Sequence, residues 1–200
     1  MTQNYKIFTQ DPLEWDMFKT WAKKMNVSSY LEIGSYAGFS AREMAREVLP
    51  KGSRITLVES YSNKDAHEEL LKTVEEIKAL GMRVNLIEGD STNHHVIEQV
   101  KGLGIWPWNQ FDLCFIDANH SLSYVWQDYL NYDLLSVHTA FHDIDPRCIE
   151  KSKQKYNGIE QAIAAHLWMI LKKWHGVDKC TEIINDLSDT PRGIGILSKI

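Results

Sequence analysis

Cysteine is scarce in this 200-residue chain: Cys114, Cys148 and Cys180 stand at wide spacing, an odd number with no CxxC pair. That argues against zinc or dithiol chemistry, and the thiols are expected to be reduced. Long apolar runs are missing as well. No stretch approaches the ~20 residues of a membrane span, and the polar start Met1 to Lys6 carries no apolar signal core, so a cytoplasmic protein without a membrane partner is expected. Nor is there a basic excess. The 22 lysines and arginines are outnumbered by 27 acids, for a net charge of −5, whereas a nucleic-acid backbone calls for a basic face, so nucleic acid is not an expected partner. What is abundant is ordinary: 44% hydrophobic residues can build one full core, and no linker, repeat or low-complexity segment divides the chain.

Periodicity supplies the architecture. Asp11-Pro12 reads as a helix cap with proline in the first turn, and Leu13, Met17, Phe18, Trp21 and Met25 follow at helical spacing. Residues 1–29 are therefore expected to form a helical segment packed on a single domain of residues 30–200. In that domain, strands at Tyr30–Ile33, Arg54–Val58, Val84–Ile87, Phe111–Ile116 and Val137–Phe141 alternate with helices at Ser40–Leu49, Asn63–Leu80, around Val96 and Val100, Leu122–Leu135 and Gly158–Trp174. The run Phe111–Ile116 is almost wholly apolar, as suits a central strand covered on both faces. Alternation of this kind predicts an α/β fold, a doubly wound, mostly parallel, Rossmann-like sheet in a three-layer α/β/α sandwich. The tail departs from it, because Thr181–Ile184 and Ile194–Leu197 are separated only by a turn region with Pro191 and Gly193, which predicts an antiparallel hairpin at the sheet edge.

Ligands of open α/β sheets bind beyond the carboxyl ends of the strands. The first predicted strand ends in Glu32-Ile33-Gly34-Ser35-Tyr36-Ala37-Gly38, the second in Glu59, the third in Glu88-Gly89-Asp90-Ser91 and the fourth in Asp117-Ala118-Asn119-His120. Glycines there let a backbone approach a ligand, and an acid at Glu59 has the spacing of one that accepts from a ribose diol. Each piece also has a plain reading. Gly34 and Gly38 serve packing equally well, Glu59 a solvated loop, and Asp90 a helix cap. His94 and His95 lack partner acids at ligand spacing. Trp106 and Trp108 suit a packed loop, and Trp15, Trp21, Trp168 and Trp174 suit core or interface anchoring.

Taken in order, these segments resemble the class I S-adenosylmethionine-dependent methyltransferases from about Tyr30 to the C-terminus. The likeness rests on Leu31–Gly38, Val58–Ser60, Ile87–Ser91 and the terminal hairpin, because members of that class carry a reversed last strand. It implies S-adenosylmethionine as cofactor, with Glu32, Gly34, Ser35 and Gly38 near its methionine part, Glu59 at the ribose, and Asp90 and Ser91 near the adenine. Within the class, Phe115-Ile-Asp117-Ala-Asn-His120 with Phe141-His-Asp143 is similar to the small-molecule O-methyltransferase branch that includes metal-dependent members.

That likeness implies catalytic roles for Asp117 and His120, with His120 as the base that deprotonates an acceptor hydroxyl. It implies a divalent ion, Mg²⁺ or Mn²⁺, on Asp117, His142 and Asp143. A hard ion prefers carboxylates, and the imidazole at position 142 suits softer metals better or a backbone hydrogen bond instead. The expected partner is a small-molecule acceptor, and the aromatic N-terminal helix suggests a homodimer. Two rival readings are a nicotinamide-dependent oxidoreductase and a non-catalytic protein that keeps a nucleoside-cofactor pocket for regulation or assembly. The first lacks the middle glycine of GxGxxG between Gly34 and Gly38.

Overall fold

The computed structural model describes residues 10–60, 63–103, 111–147, 164–189 and 191–200. The expected loop at Trp106–Trp108, Cys148 and the start of the late helix at Gly158 lie outside these residues. Among the described residues seven strands form one sheet: β1 (Ser29–Ile33), β2 (Arg54–Glu59), β3 (Arg83–Glu88), β4 (Phe111–Ile116), β5 (Ser136–His142), β6 (Cys180–Ile183) and β7 (Ile194–Ser198). Their spatial order is β3-β2-β1-β4-β5-β7-β6. The pairs β1–β2, β1–β4, β2–β3 and β4–β5 are parallel, while β7 runs antiparallel to both β5 and β6. The expected doubly wound sheet with one reversed strand is thus present. The hairpin is not simply appended, because its second strand inserts next to β5 and its first becomes the edge.

The described helices are α1 (Pro12–Lys24), α2 (Phe39–Glu47), α3 (Lys64–Ala79), α4 (His94–Gly102), α5 (Leu122–Tyr132) and α6 (Ala164–His175). Alternation along the strands divides them into two layers. Tyr30, Leu113 and Phe115 join Trp15 and Phe18 of α1, Met44 of α2 and Leu70 of α3 in one core. Leu31, Ile33, Cys114 and Phe141 join Val96 of α4, Tyr129 of α5 and Trp168 of α6 in the other. Trp15 and Phe18 are both fully buried against Phe115. Of the apolar residues on this helix, Trp15 and Phe18 are thus used inside the chain, while Leu13 and Met17 stay exposed. Trp168 is buried, and its Nε1 donates to Glu182. Trp174 stays 63% exposed, edge-on to Trp126.

Capping explains where α1 begins. Asp11 accepts from the backbone N–H groups of Leu13 and Glu14 at 3.0 and 3.1 Å, with Pro12 in the first turn as the sequence predicts. One turn on, the fully buried Glu14 carboxylate accepts from the backbone N–H groups of Asn185 and Gly193 at 2.9 and 3.0 Å. This clasp ties the N-terminal helix to the turn between β6 and β7, and that turn faces the carboxyl ends of the parallel strands.

Removing a buried charged acceptor strands both N–H donors. Glu14→Ala is therefore expected to lower stability by about 2–3 kcal/mol in urea unfolding. A loss below about 0.5 kcal/mol, the range of an ordinary surface change, would show that the clasp carries no such weight.

Candidate functional site

The strand ends of β1, β2, β3, β4 and β5 open onto a cleft of about 620 Å³, within the size range of small-ligand sites. Gly34, Ser35, Glu59, Asp90, Ser91, Asp117, His120 and His142 line it, together with Gln10, Tyr124 and Arg192. Glu32, Gly38 and Asp143 do not reach its wall. Topology accounts for the convergence, because all five strands are parallel and deliver their C-terminal residues to one edge.

At the β1 turn the glycines answer to packing. Gly34 has φ +89°, and a Cβ on it would lie 2.4 Å from the Ala118 Cα, so only glycine lets the β1 and β4 loops meet. A Cβ on Gly38, φ +77°, would meet Leu70 of α3 at 2.8 Å. The backbone N–H groups of Gly34 and Ser35 both donate to the Val58 carbonyl, at 2.9 and 3.3 Å, so neither is free for a ligand. The Ser35 hydroxyl differs. It is buried on the floor of the cleft with no hydrogen-bond partner among the described residues, an unmet polar atom that a bound ligand can satisfy.

Two acids frame the cleft beside this floor. Glu59 accepts from the Tyr36 backbone N–H at 2.6 Å, and burial raises its pKa. Asp90 combines both readings of the sequence: one oxygen accepts from the Thr92 N–H at 2.8 Å and from its hydroxyl, while the residue also lines the cleft. The Ser91 carbonyl accepts from Tyr132 at 2.6 Å. Behind the wall, burial pushes Glu32 to about 8 although the Ser40 and Tyr30 hydroxyls donate to it. Burial likewise lifts Asp128 of α5, fully enclosed, to about 7. His94 and His95 stay exposed on α4, where His95 pairs with Gln99.

Across the cleft a charge network joins the ends of β4 and β5. The Asp117 carboxylate is engaged on both oxygens, by the Gln10 amide at 2.7 Å and by His142 Nδ1 at 3.0 Å. Asp143 lies 2.9 Å from His120 Nδ1 through one oxygen, and 3.5 Å from His142 Nδ1 and 3.2 Å from the Arg192 guanidinium through the other. It adopts φ +60°, a left-handed conformation uncommon outside glycine, which aims the carboxylate at these partners. Burial pulls the His142 imidazole down, but the charges of Asp117 and Asp143 and the Asp117 hydrogen bond overcome this and raise it to about 9. Burial opposes ionisation of Asp143, yet His142, His120 and Arg192 hold it well below the usual carboxylate range. His120 is likewise raised, the Asp143 hydrogen bond and both carboxylates outweighing its burial.

This donor set does not fit the divalent ion implied for Asp117, His142 and Asp143. Among the described residues no group of three or more His, Cys, Asp or Glu side chains is arranged to hold one. The reason lies in the partners. A permanent cation, Arg192, already sits on Asp143 at 3.2 Å, and His142 Nδ1 is turned onto the Asp117 carboxylate at 3.0 Å. Asp145 turns aside to pair with Arg147 at 2.6 Å, as befits the start of its turn.

Gln10 and Arg192 are among the site residues that the strand-end survey does not anticipate. Gln10 precedes the first helix and meets Asp117 across 107 positions, and Arg192 meets Asp143 across 49. The one available signal for Arg192 is a basic residue at the mouth of the predicted hairpin, between Pro191 and Gly193.

With this geometry in view, comparison with known proteins is informative. A sequence profile described as a methyltransferase domain matches residues 31–145. No curated protein matches by sequence. Among solved structures, the O-methyltransferase of Bacillus cereus in complex with SAH superposes with a TM-score of 0.67 at 16% identity, over 95% of this chain and 82% of that one. The O-methyltransferase TomG of Streptomyces achromogenes, in complex with SAM, gives 0.64 at 16% identity over 95% and 81%. The SAH-bound methyltransferase PaMTH1 of Podospora anserina gives 0.63 at 20% identity over 95% and 79%. At such identities these structures share the fold of the chain.

The raised groups make stability depend on pH in one direction. For Glu32, Asp128 and His142 the folded pKa exceeds the unfolded one, so their contribution is complete below the unfolded value and is lost as pH rises through the folded value. The ligand-free melting temperature is therefore expected to fall as pH climbs from about 6 to about 9, by about 2–4 °C for each kcal/mol lost. Asp128→Asn and Glu32→Gln should each flatten that slope in thermal melts. A melting temperature that holds steady or rises across this window would refute the assignment.

Proposed function

This chain belongs to the methyltransferase domain family, and from that premise we propose that it moves a methyl group from S-adenosylmethionine to a hydroxyl oxygen of a small acceptor. The observation that carries the reading is the division of one cleft into two chemically different ends. Glu59, Asp90 and the unpartnered Ser35 hydroxyl lie toward β1, β2 and β3, while His120 and its carboxylates lie toward β4 and β5. When bound, the cofactor supplies an electrophilic methyl group on a sulfonium sulfur.

The residues of the chain do the remainder. Glu59, which accepts from the Tyr36 N–H and from Ser60, lines the cleft as the acid that accepts from the ribose hydroxyls. Asp90 and Ser91 border the adenine, and Ser35 with the Gly34 turn borders the methionine part. Glu32 and Gly38 act from behind the wall, by holding Ser40 and admitting α3. His120 receives the acceptor proton on Nε2, because its Nδ1 faces Asp143. Asp117, with both oxygens occupied, orients and balances charge and is not the base. Positioning and electrostatics then supply most of the rate. Residues 30–200 form the catalytic domain in this reading, and the described part of the segment before it, residues 10–29, packs on it and brings Gln10 to the acceptor end.

Calorimetric titration with S-adenosylhomocysteine tests the cofactor half. Micromolar binding is expected, and Glu59→Ala should weaken it about 10- to 100-fold, the worth of hydrogen bonds to a charged group. Folded protein that takes up no nucleoside would sink the methyltransferase reading. Tight binding without methyl transfer to any of a broad set of phenols, sugars and amines would favour a regulatory binding protein instead.

A further inference from the structure

The acceptor end differs from a metal site in its charge balance. Asp117 and Asp143 are both already engaged: the Arg192 guanidinium lies 3.2 Å from Asp143, and His142 Nδ1 lies 3.0 Å from Asp117. A fixed cation therefore already occupies the carboxylate that a dication would need, and its charge opposes the approach of another. Arg192 is itself held firmly. Its carbonyl accepts from the Asp145 N–H at 2.8 Å, and the next residue, Gly193, donates to Glu14 at 3.0 Å. Its guanidinium reaches both Asp143 oxygens, at 3.2 and 3.4 Å.

Asp143 passes this constraint on. A further contact, 2.9 Å to His120 Nδ1, fixes the proton on that nitrogen and leaves Nε2, 3.8 Å from Asp117, as the nitrogen able to accept. A carboxylate that sets the tautomer and direction of a catalytic imidazole follows the logic of the hydrolase triads. Here the carboxylate is in turn clamped by a guanidinium that comes from the reversed strand's turn.

We infer that Arg192 is a positioning residue that stands in for the divalent ion: it fixes Asp143, Asp143 orients His120, and the acceptor hydroxyl is deprotonated without metal. This rests on the methyl-transfer reading of the same cleft. The acceptor oxygen forms a bond to the methyl carbon as the carbon–sulfur bond breaks, the sulfur keeps the electron pair, and the hydroxyl proton passes to His120 Nε2. No further co-reactant is needed for that balance.

Two measurements on the intact protein decide the matter, and neither depends on knowing the acceptor. In electron paramagnetic resonance the free Mn²⁺ signal should keep its full intensity when equimolar wild-type protein, with S-adenosylhomocysteine, is added. A stoichiometric loss of that signal, reversed by Asp143→Asn, would overturn the inference. In ¹⁵N NMR of the histidine rings, assigned with His120→Gln, the His120 signals should show the Nδ1–H tautomer in the wild type. Arg192→Ala should lose that signature and Arg192→Lys should retain part of it, with circular dichroism confirming the fold. An unchanged His120 tautomer in Arg192→Ala would also overturn the positioning role, and the wild-type Mn²⁺ result judges the inference even if that variant fails to fold. Failure of S-adenosylhomocysteine to bind the wild type would count against the methyltransferase reading alone, because the histidine and Mn²⁺ measurements can be repeated without it.

Discussion

A carboxylate that stays ionised while 7% exposed must have positive charge brought to it, and Asp143 imposes that demand on its whole neighbourhood. The charge comes from three different parts of the chain. His142 is its neighbour on β5, His120 follows β4, and Arg192 enters from the turn before β7. Only the insertion of a reversed strand beside β5 brings that turn to the carboxyl edge, since β7 pairs His142 with Ile194 in antiparallel register. The turn must then be anchored, and the buried Glu14 of α1 anchors it through Gly193. One electrostatic requirement at the sheet edge thus explains why the first helix, the last hairpin and two internal loops meet there.

The fold was largely legible because it is written in local signals. Apolar runs of strand length alternate with helical spacing, and Asp11-Pro12 marks a helix start that the structure caps as expected. Boundaries moved by a residue or two. The larger shift was at α5, where a final 3₁₀ turn, Asp133–Leu135, replaces the end of the expected helix, with Ser136 bonded to the Asp133 carbonyl. What local signals cannot specify is the insertion of β7 ahead of β6, because antiparallel pairing of Thr181–Ile184 with Ile194–Leu197 is equally satisfied with either strand at the edge.

The site divides along the same line. Glu59, Asp90, Asp117 and His120 were legible because a residue that ends a parallel strand is carried to the cleft by topology alone. Glu32 and Gly38 sit in the same motif but act one layer back: Glu32 holds the Tyr30 and Ser40 hydroxyls, and Gly38 makes room for Leu70 and Thr73. A motif records that a residue is required and not whether a ligand or the neighbouring helix requires it. Gln10 and Arg192 were illegible for the opposite reason, since each meets its aspartate through tertiary packing, with no periodicity or spacing that links the two in sequence.

The two ends of the cleft therefore rest on different physics. The end nearer β1 is built from backbone turns whose geometry is set by close approach, as when Gly34 meets the Ala118 backbone, and it tolerates change only where no Cβ intrudes. The end nearer β5 is built from charges whose energies depend on all the others, so removal of one partner leaves the rest uncompensated in a region of low dielectric. Such a network holds a fixed arrangement before a ligand arrives, which is the condition for electrostatic catalysis to require little reorganisation. It also divides the labour between its carboxylates. Asp117, saturated by Gln10 and His142, is fixed in place, and Asp143, clamped by Arg192, hands its remaining hydrogen bond to His120, the half-exposed member that faces the cleft.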